Sequence, residues 1–349
     1  LIVLLAAGGW YLTKGPGTGS LQSFLSQAQQ KLSQGNPGQG AANPLQPAGI
    51  PTNFGAQPAP LGAPPAATTT PGPLFGGPAI RIASFNIQTF GDAKASKPYI
   101  MATLAAIIHN FHLVAIQEIR TQDDYFLDNF LRNYVNQKGR AFDRVVGPRL
   151  GRSSSTEQYA FLYDTAAIEV NRYSIYTVND PDDLLHREPL VTMFRVRGPP
   201  PQQAFTFVLA NIHTDPHETD TEVDALAQVF QAVRRSSNGE DDIILLGDLN
   251  VDDRHLGQIA QLDGVRPVVR GVFTNTRQDA LYDNLILHQP STAEFTGRWG
   301  VFNFQQAFKL TADQALQVSD HLPIWAEFSA YESATPGRVA TRDATIRAQ

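Results

Sequence analysis

The sequence predicts an α/β body in which sheets pack against each other with helices outside. Two observations carry this. Short apolar segments, some with period-two alternation, follow one another from about residue 80 to 328, and only a few segments between them carry a 3.6-residue apolar stripe. Apolar residues make up 42% of the 349, enough for a large buried core, and no cysteine is present. The absence of thiols excludes disulfides, thiolate zinc sites, iron–sulfur clusters and cysteine nucleophiles together, and leaves the redox compartment undecided. No apolar run reaches the roughly 18 residues of a membrane-spanning helix, which excludes a polytopic membrane protein.

The elements follow in order. Ile80-Arg81-Ile82-Ala83-Ser84-Phe85-Asn86-Ile87 alternates as a strand should. Ser96 and Pro98 open a helix that runs to about Phe111, with proline suited to the first turn. LVAIQEI at 113–119 reads as a buried strand, and a helix is expected over 123–137. Strands are expected at 140–147, 157–163, 167–176, 189–197 and 205–213. A helix over 218–235 carries apolar residues at 223, 226, 229, 230 and 233, one face of a 3.6-residue repeat. Strands at 242–248, 281–287 and 322–328 complete the body, and no internal repeat is visible.

Outside this body, expected to span 79–332, the composition changes sharply. Residues 1–78 contain no acid and only Lys14 and Lys31, so they carry +2 and leave −8 for the rest of a chain whose total is −6. Segment 33–78 holds 11 of the 24 prolines and 9 of the 27 glycines. Such a stretch buries too little apolar area to offset the entropy of ordering it, and residues 15–78 are expected to form a flexible linker. Ahead of it, residues 1–14 begin LIVLLAAGGWYL, too short to span a bilayer. They are expected to be the tail of a longer membrane anchor or a signal remnant, so that export or membrane tethering is favoured over a cytoplasmic place. The competing reading is a short helix packed on the body. Residues 333–349 read as a polar, flexible tail.

Polar residues stand where the apolar strands stop. Asn86, Glu118, His213, Asp248 with Asn250, and Asp320 with His321 all occupy such positions. A rigid sheet positions what the loops around it surround, so strand ends often carry chemistry. A single such residue reads as a loop cap, whereas several drawn only from Asn, Asp, Glu and His suggest one site. Carboxylates and amides without thiols suit a hard cation that keeps several waters, Mg²⁺ or Mn²⁺. Zinc fits poorly: His213 and His217 are four apart, but Pro216 lies between them in a strand-to-loop segment. His109 and His112 read as satisfied core or surface residues. Two imidazoles with carboxylate partners can take a proton from water and give one to a leaving oxygen, and a metal can neutralise charge on a phosphoryl oxygen. These parts describe metal-assisted phosphodiester hydrolysis. Hydride transfer and nucleoside triphosphate binding are disfavoured, since neither GxGxxG nor GxxxxGK[ST] occurs.

SFN at 84–86, QEIR at 117–120, LGRSSSTEQYAF at 150–161, HREP at 186–189, NIHTDP at 211–216, GDLN at 247–250, YDNLIL at 282–287 and SDHLP at 319–323 occur in one order. In that order the chain resembles the endonuclease/exonuclease/phosphatase superfamily over about 80–330, and within it the deoxyribonuclease I branch. The resemblance implies a four-layer α/β/β/α sandwich, two packed, mainly antiparallel sheets flanked by helices. It implies that Glu118 holds a divalent ion with Asn86 and Asp320 close by, and that Asp248 and Asn250 bind the scissile phosphate and a second ion or its waters. His213 and His321 become the acid–base pair, oriented by Glu157 and Asp283. Arg120 is expected to reach the minor groove of double-stranded DNA, and Arg187 a phosphate.

Departures from the branch fall around the site. Ser155 stands where a tyrosine beside the minor groove is expected. Thr274-Asn275-Thr276 is similar to part of a structural calcium loop, which admits Ca²⁺ as a further ion, but Val272 stands where an acid is expected. The acidic net charge does not oppose DNA binding, because a local basic strip and the divalent ions supply positive charge. Two further readings stay open, a sister phosphoesterase acting on a phospholipid or inositol phosphate and a non-catalytic binding module on this fold. Arg120 and the LGR…E segment favour DNA, and the intact histidine and carboxylate set favours catalysis.

Overall fold

The computed structural model describes residues 79–137, 139–152 and 156–332. The expected anchor 1–14, linker 15–78 and tail 333–349, as well as Ser155, lie outside the described residues. In chain order the strands are β1 (Ala79–Phe90), β2 (Leu113–Ile119), β3 (Phe142–Val146), β4 (Gln158–Asp164), β5 (Ile168–Thr177), β6 (Leu190–Val196), β7 (Thr206–His213), β8 (Ile243–Asp248), β9 (Val265–Pro267), β10 (Asp283–His288), β11 (Phe295–Val301) and β12 (Ile324–Ser329). The helices are α1 (Asp92–Ala95), α2 (Pro98–Ile108), α3 (Phe126–Asn133), α4 (Thr219–Ser236), α5 (Phe304–Phe308) and α6 (Ala312–Val318).

Among the described residues the strands form two six-stranded sheets, ordered β11-β12-β1-β2-β4-β3 and β5-β6-β7-β8-β10-β9. Each has one parallel pair at its centre, β1 with β2 and β7 with β8. Antiparallel pairs lie on both sides of it. Parallel neighbours need a long crossover, supplied by α2 in the first sheet and α4 in the second. The two sheets therefore share one strand arrangement, although β11 and β12 reach the first from the end of the chain, and this repeat of topology leaves no visible repeat in the sequence.

Layering follows from alternation along the central strands. In β7, Phe207 and Leu209 join the larger core, while Val208, Ala210 and Ile212 join a second one. In β8, Ile244 and Leu246 face the first core and Ile243 and Leu245 the second. The larger core runs between the sheets and continues to α2 and α3; the second lies between the second sheet and α4. The sheets and helices thus stack as the four-layer sandwich expected. Phe161 of the first sheet meets Phe194 of the second edge to face, with ring centroids 5.4 Å apart.

A buried group of amide hydrogen bonds crosses this apolar seam. The Gln117 amide donates to Ser84 Oγ at 3.0 Å and to Asn211 Oδ1 of the other sheet at 2.6 Å. Asn211 Nδ2 donates in turn to the carbonyls of Ile116 and Ala160, both at 3.1 Å. Buried amides that found no partner would each cost about 1–3 kcal/mol, so this pairing resists a sheet-to-sheet slide.

Several elements differ from expectation. The helix over 123–137 is cut to α3 and a 3₁₀ turn at Val135–Gln137, with Asn136 non-helical. The strands β9 and β11 and the helices α1, α5 and α6 were not anticipated. β11 contains Gly297 and Gly300 and lies at a sheet edge with exposed positions, and β9 has three residues ending in proline. Among the described residues no helix is long and apolar enough to cross a membrane.

Candidate active site

The parallel strand pairs end on the same side as the turns before β4, β10 and β12, and the singled-out residues converge there. Backbone irregularity helps to place them. β1 and β2 shift register between Asn86 and Phe90, and Gln88, Thr89 and Glu118 take positive φ of 25°, 52° and 61°. Non-glycine residues in such conformations cost of order 1–3 kcal/mol and cluster at functional sites. Here the bend directs the Glu118 carboxylate so that its Oε2 accepts from Thr89 N at 2.8 Å and its Oε1 from Asn86 Nδ2 at 3.2 Å. The glycine of GDLN has a steric reason too. A Cβ on Gly247 would lie 1.8 Å from the Ile212 carbonyl oxygen of the neighbouring parallel strand, so any side chain there would part β7 from β8.

At the centre stands Asp248, the last residue of β8. Its Oδ2 accepts from Asn86 Nδ2 at 3.0 Å and lies 3.6 Å from His213 Nε2 and 3.5 Å from His321 Nε2. The other ring nitrogen of each histidine meets its own carboxylate. His213 Nδ1 lies 2.6 Å from Glu157 Oε1, and His321 Nδ1 lies 2.9 Å from Asp283 Oδ2. Each pair crosses the seam: His213 ends β7 of the second sheet while Glu157 precedes β4 of the first, and His321 precedes β12 of the first sheet while Asp283 opens β10 of the second. The Nδ1 hydrogen donates to the carboxylate, which leaves both Nε2 atoms turned toward the same oxygen of Asp248.

The charges are tuned by these neighbours. Burial opposes a proton on His321, but Asp283 and Asp248 outweigh it and hold the imidazole up at about 10. His213 is also raised, with burial opposed by Glu157 and Asp248. Burial would lift Glu157, yet His213, Arg187 and Arg120 keep it below the usual carboxylate range. Burial raises Asp320, with His321 opposing.

The arginines do not project from the surface as solitary side chains. Arg120 lies 3.4 Å from Glu118 and 3.2 Å from Glu157. Arg187, with 5% of its side chain exposed, pairs with Glu157 at 3.3 Å and donates to the His213 carbonyl at 3.1 Å. Asn250 holds the loop after β8, its N–H donating to Asp248 Oδ1 at 3.0 Å and its amide to the Thr214 carbonyl at 2.8 Å. Asp320 Oδ2 accepts from Gln88 Nε2 at 2.9 Å, and its Oδ1 lies 4.0 Å from His321 Nε2. One continuous set of contacts thus links Asn86, Glu118, Arg120, Glu157, Arg187, His213, Asp248, Asn250, Asp283, Asp320 and His321.

The donor set fits a hard divalent ion. Glu118, Asp320 and Asn86 offer carboxylate and amide oxygens without sulfur, and Asp320 Oδ1 is buried with no hydrogen-bond partner. Ligand atoms of Asp248, Asp283 and His321 also lie within 4.8 Å of one another, although both carboxylates there already face an imidazole. The segment similar to a calcium loop has its polar groups engaged internally. Thr274 Oγ1 donates to Asp283 at 2.7 Å, Thr276 Oγ1 to the Ser319 carbonyl at 2.7 Å, and Asn275 Oδ1 accepts from Asp279 N and Ala280 N. His112 and His109 are satisfied as expected, His112 Nδ1 accepting from Arg81 N at 2.9 Å and His109 Nε2 lying 2.7 Å from the Val135 carbonyl oxygen. His217 is exposed.

Sequence reasoning missed several supporting residues. Tyr159 OH accepts from His213 N at 2.9 Å; it lies two residues beyond Glu157, on the same strand face, which was a usable signal. Gln88 stands two residues after Asn86 in the same way. Glu222, buried on α4, accepts from the backbone N–H groups of His186 and Asp215 and ties two site loops together. Buried Lys94 donates to the Gln317 and Val318 carbonyls at 3.1 and 2.8 Å, and burial lowers it to about 8 despite Asp320 and Glu118 nearby. Nothing in its local sequence marks it.

Two mixed six-stranded sheets with flanking helices and a histidine–carboxylate site at one end define a phosphoesterase of the sandwich type. The profile of the "Endonuclease/Exonuclease/phosphatase family" matches residues 83–321, and the chain belongs to that family. Its curated relatives are named as deoxyribonucleases. Deoxyribonuclease-1-like 1 of Sus scrofa is 32% identical over 266 residues, covering 73% of this chain and 82% of that protein. Deoxyribonuclease gamma of Homo sapiens is 30% identical over 262 residues, covering 70% and 85%. Among solved structures, an endonuclease/exonuclease/phosphatase family protein from Bacteroides thetaiotaomicron matches with a TM-score of 0.52 at 16% identity, over 73% of this chain and 98% of that one. The chain is a hydrolase of the deoxyribonuclease I-like branch.

Proposed function

We propose that this chain is an endonuclease that hydrolyses double-stranded DNA with Mg²⁺ or Mn²⁺ at Glu118, Asp320 and Asn86. The observation that carries it is the pair of crossed dyads, His213 with Glu157 and His321 with Asp283, both turned toward Asp248. The two carboxylates hold each imidazole with Nε2 toward the reacting phosphate. One histidine takes a proton from the attacking water as its oxygen bonds phosphorus, and the other gives a proton to the departing sugar oxygen. The divalent ion, when bound, supplies positive charge against the phosphoryl oxygens. Asp248 and Asn250 position the phosphate and its waters, and Arg120 and Arg187 add positive charge to a site otherwise rich in carboxylates. The deoxyribonuclease relatives favour DNA over a phospholipid or inositol phosphate. The apolar composition of residues 1–14 favours an exported or membrane-tethered enzyme over a cytoplasmic one.

The test uses the full chain with supercoiled plasmid, and separately with phospholipid and inositol phosphates, in Mg²⁺ and in EDTA. Nicking of plasmid in Mg²⁺ alone is expected, together with sharply weakened Mg²⁺ activation in Glu118→Gln. Turnover of lipid or inositol phosphate with plasmid intact would transfer the site to the sister activity, and cleavage that persists in EDTA would remove the ion.

A further inference from the structure

At the other end of β8 the molecule gathers a second set of acids that the hydrolytic site does not use. Glu240, Asp241 and Asp242 run directly into the strand whose far end is Asp248, about 20 Å away at 3.3 Å per residue. Glu294 comes in from the residue before β11, and Glu332 from the turn after β12. One carboxylate oxygen from each of Asp242, Glu294 and Glu332 lies within 4.8 Å of the others, and the same holds for Glu240, Asp241 and Asp242. Asp242 belongs to both groups.

Asp242 sets this apart from a surface acidic cluster. It is 1% exposed, and both of its carboxylate oxygens are buried without a hydrogen-bond partner. The Thr292 hydroxyl, 2% exposed, lies beside Asp242 and is likewise buried without a hydrogen bond of ordinary geometry. No ion pair reaches Glu240, Asp242 or Glu332 among the described residues. Neighbouring acids are meanwhile held in place by the protein. Glu240 accepts from the Thr206 hydroxyl and from Asp242 N at 2.9 Å, and Glu332 Oε2 accepts from Thr206 N at 3.2 Å. The neighbours of Asp242 are the Thr292 hydroxyl and the carboxylates of Glu294, Glu240 and Glu332, and a buried carboxylate with no counter-ion and no well-formed hydrogen bond is strongly disfavoured.

We propose that Asp242, Glu294 and Glu332 form a binding site for a hard divalent cation of the size of Ca²⁺, remote from the hydrolytic centre, with the Thr292 hydroxyl as a neutral oxygen beside it. The spacing suits the ion: oxygens at 2.3–2.6 Å from a common centre lie at most roughly 5 Å apart. Ca²⁺ accepts 6–8 oxygens in flexible geometry, whereas Mg²⁺ keeps its waters and is seldom held by an all-protein cage. The elements joined are the start of β8, the start of β11 and the end of β12, so the ion ties both sheets together at the end away from the chemistry.

The experiment is a thermal melt of the full chain in EGTA and in Ca²⁺, with the Asp242→Asn and Glu118→Gln variants in parallel. At about a hundredfold excess over Kd, Ca²⁺ is expected to raise the parent Tm by about 5–10 °C. Glu118→Gln keeps that shift, which separates this site from the hydrolytic ion. Asp242→Asn loses it while melting no lower than the parent in EGTA, because the substitution relieves repulsion. A parent whose Tm ignores Ca²⁺ would overturn the site, leaving carboxyls that share protons. So would an Asp242→Asn variant that retains the full shift, or a shift abolished by Glu118→Gln alone. Should Asp242→Asn fail to fold, Glu332→Gln at the rim is titrated with Ca²⁺ instead; a Kd at least tenfold weaker supports the site and an unchanged Kd refutes it.

Discussion

Replacing Glu157 by glutamine perturbs the orienting half of one dyad while keeping its shape. In the parent, Glu157 receives His213 Nδ1 at 2.6 Å, Arg187 at 3.3 Å and Arg120 at 3.2 Å. A glutamine can still accept from His213, but its NH₂ must then face an arginine that also only donates. Charge-assisted hydrogen bonds contribute about 1.5–3 kcal/mol, and if that amount is lost where the imidazolium forms, kcat falls about 10–100-fold. Stability also drops, because Arg187 is buried and loses its carboxylate. Removing one partner of such a pair costs about 3–5 kcal/mol, with the retained shape favouring the lower value, which lowers Tm by about 6–12 °C. The assay is kcat and KM for plasmid nicking in Mg²⁺, run well below the Tm of the variant, with a thermal melt alongside. KM is expected to stay near the parent value. A variant that cuts at the parent rate would refute the orienting role, whatever its Tm.

Two further predictions address chemistry and stability. His213→Ala and His321→Ala should each reduce kcat by about 10²–10⁴-fold, and the double variant should cost far less than the product of the two; fully multiplicative losses would mean that the imidazoles do not act as one unit. Away from the site, burial first, and then Arg140 and Arg81, lower His112 to about 4 from 6.5, with Asp164 opposing. The folded state therefore refuses a proton that the unfolded chain accepts. Stability is full above about pH 6.5 and falls by up to about 3 kcal/mol as the pH drops to 4. His112→Asn keeps an acceptor for the Arg81 N–H, and denaturant melts should show it losing about 3 kcal/mol less over that interval; parallel curves for parent and variant would refute the assignment.

The strand ends were legible in the sequence because they are local events. A polar residue that closes an apolar run, as in VLANIH or ILLGD, marks itself without reference to anything distant. Pairing was not legible from spacing. Glu157 and His213 are 56 residues apart and Asp283 and His321 are 38 apart, and only the packing of one sheet on the other brings them together. The resemblance to a family supplied those partners. Arg187 shows the opposite limit: a single arginine in HREP gives no sign that it will be buried, since its burial depends on Glu157 arriving from the other sheet. Elements with weak periodicity were lost for a similar reason. The helix α6 relies on the Thr311 capping box and a short apolar contact through Ala315 and Val318, too little pattern to stand out from a loop.

The strand order carries a consequence for timing. β12, the last strand of the chain, lies between β11 and β1, the first. Until it emerges, the first sheet stays split, with β1 exposing an unpaired edge of its backbone, and His321, three residues ahead of β12, does not yet exist. A chain grows from its N-terminus, so nearly the whole body is made before any hydrolytic centre can form. Interrupted synthesis or loss of the chain from residue 320 onward therefore leaves one dyad without its histidine and separates β11 from the rest of the first sheet.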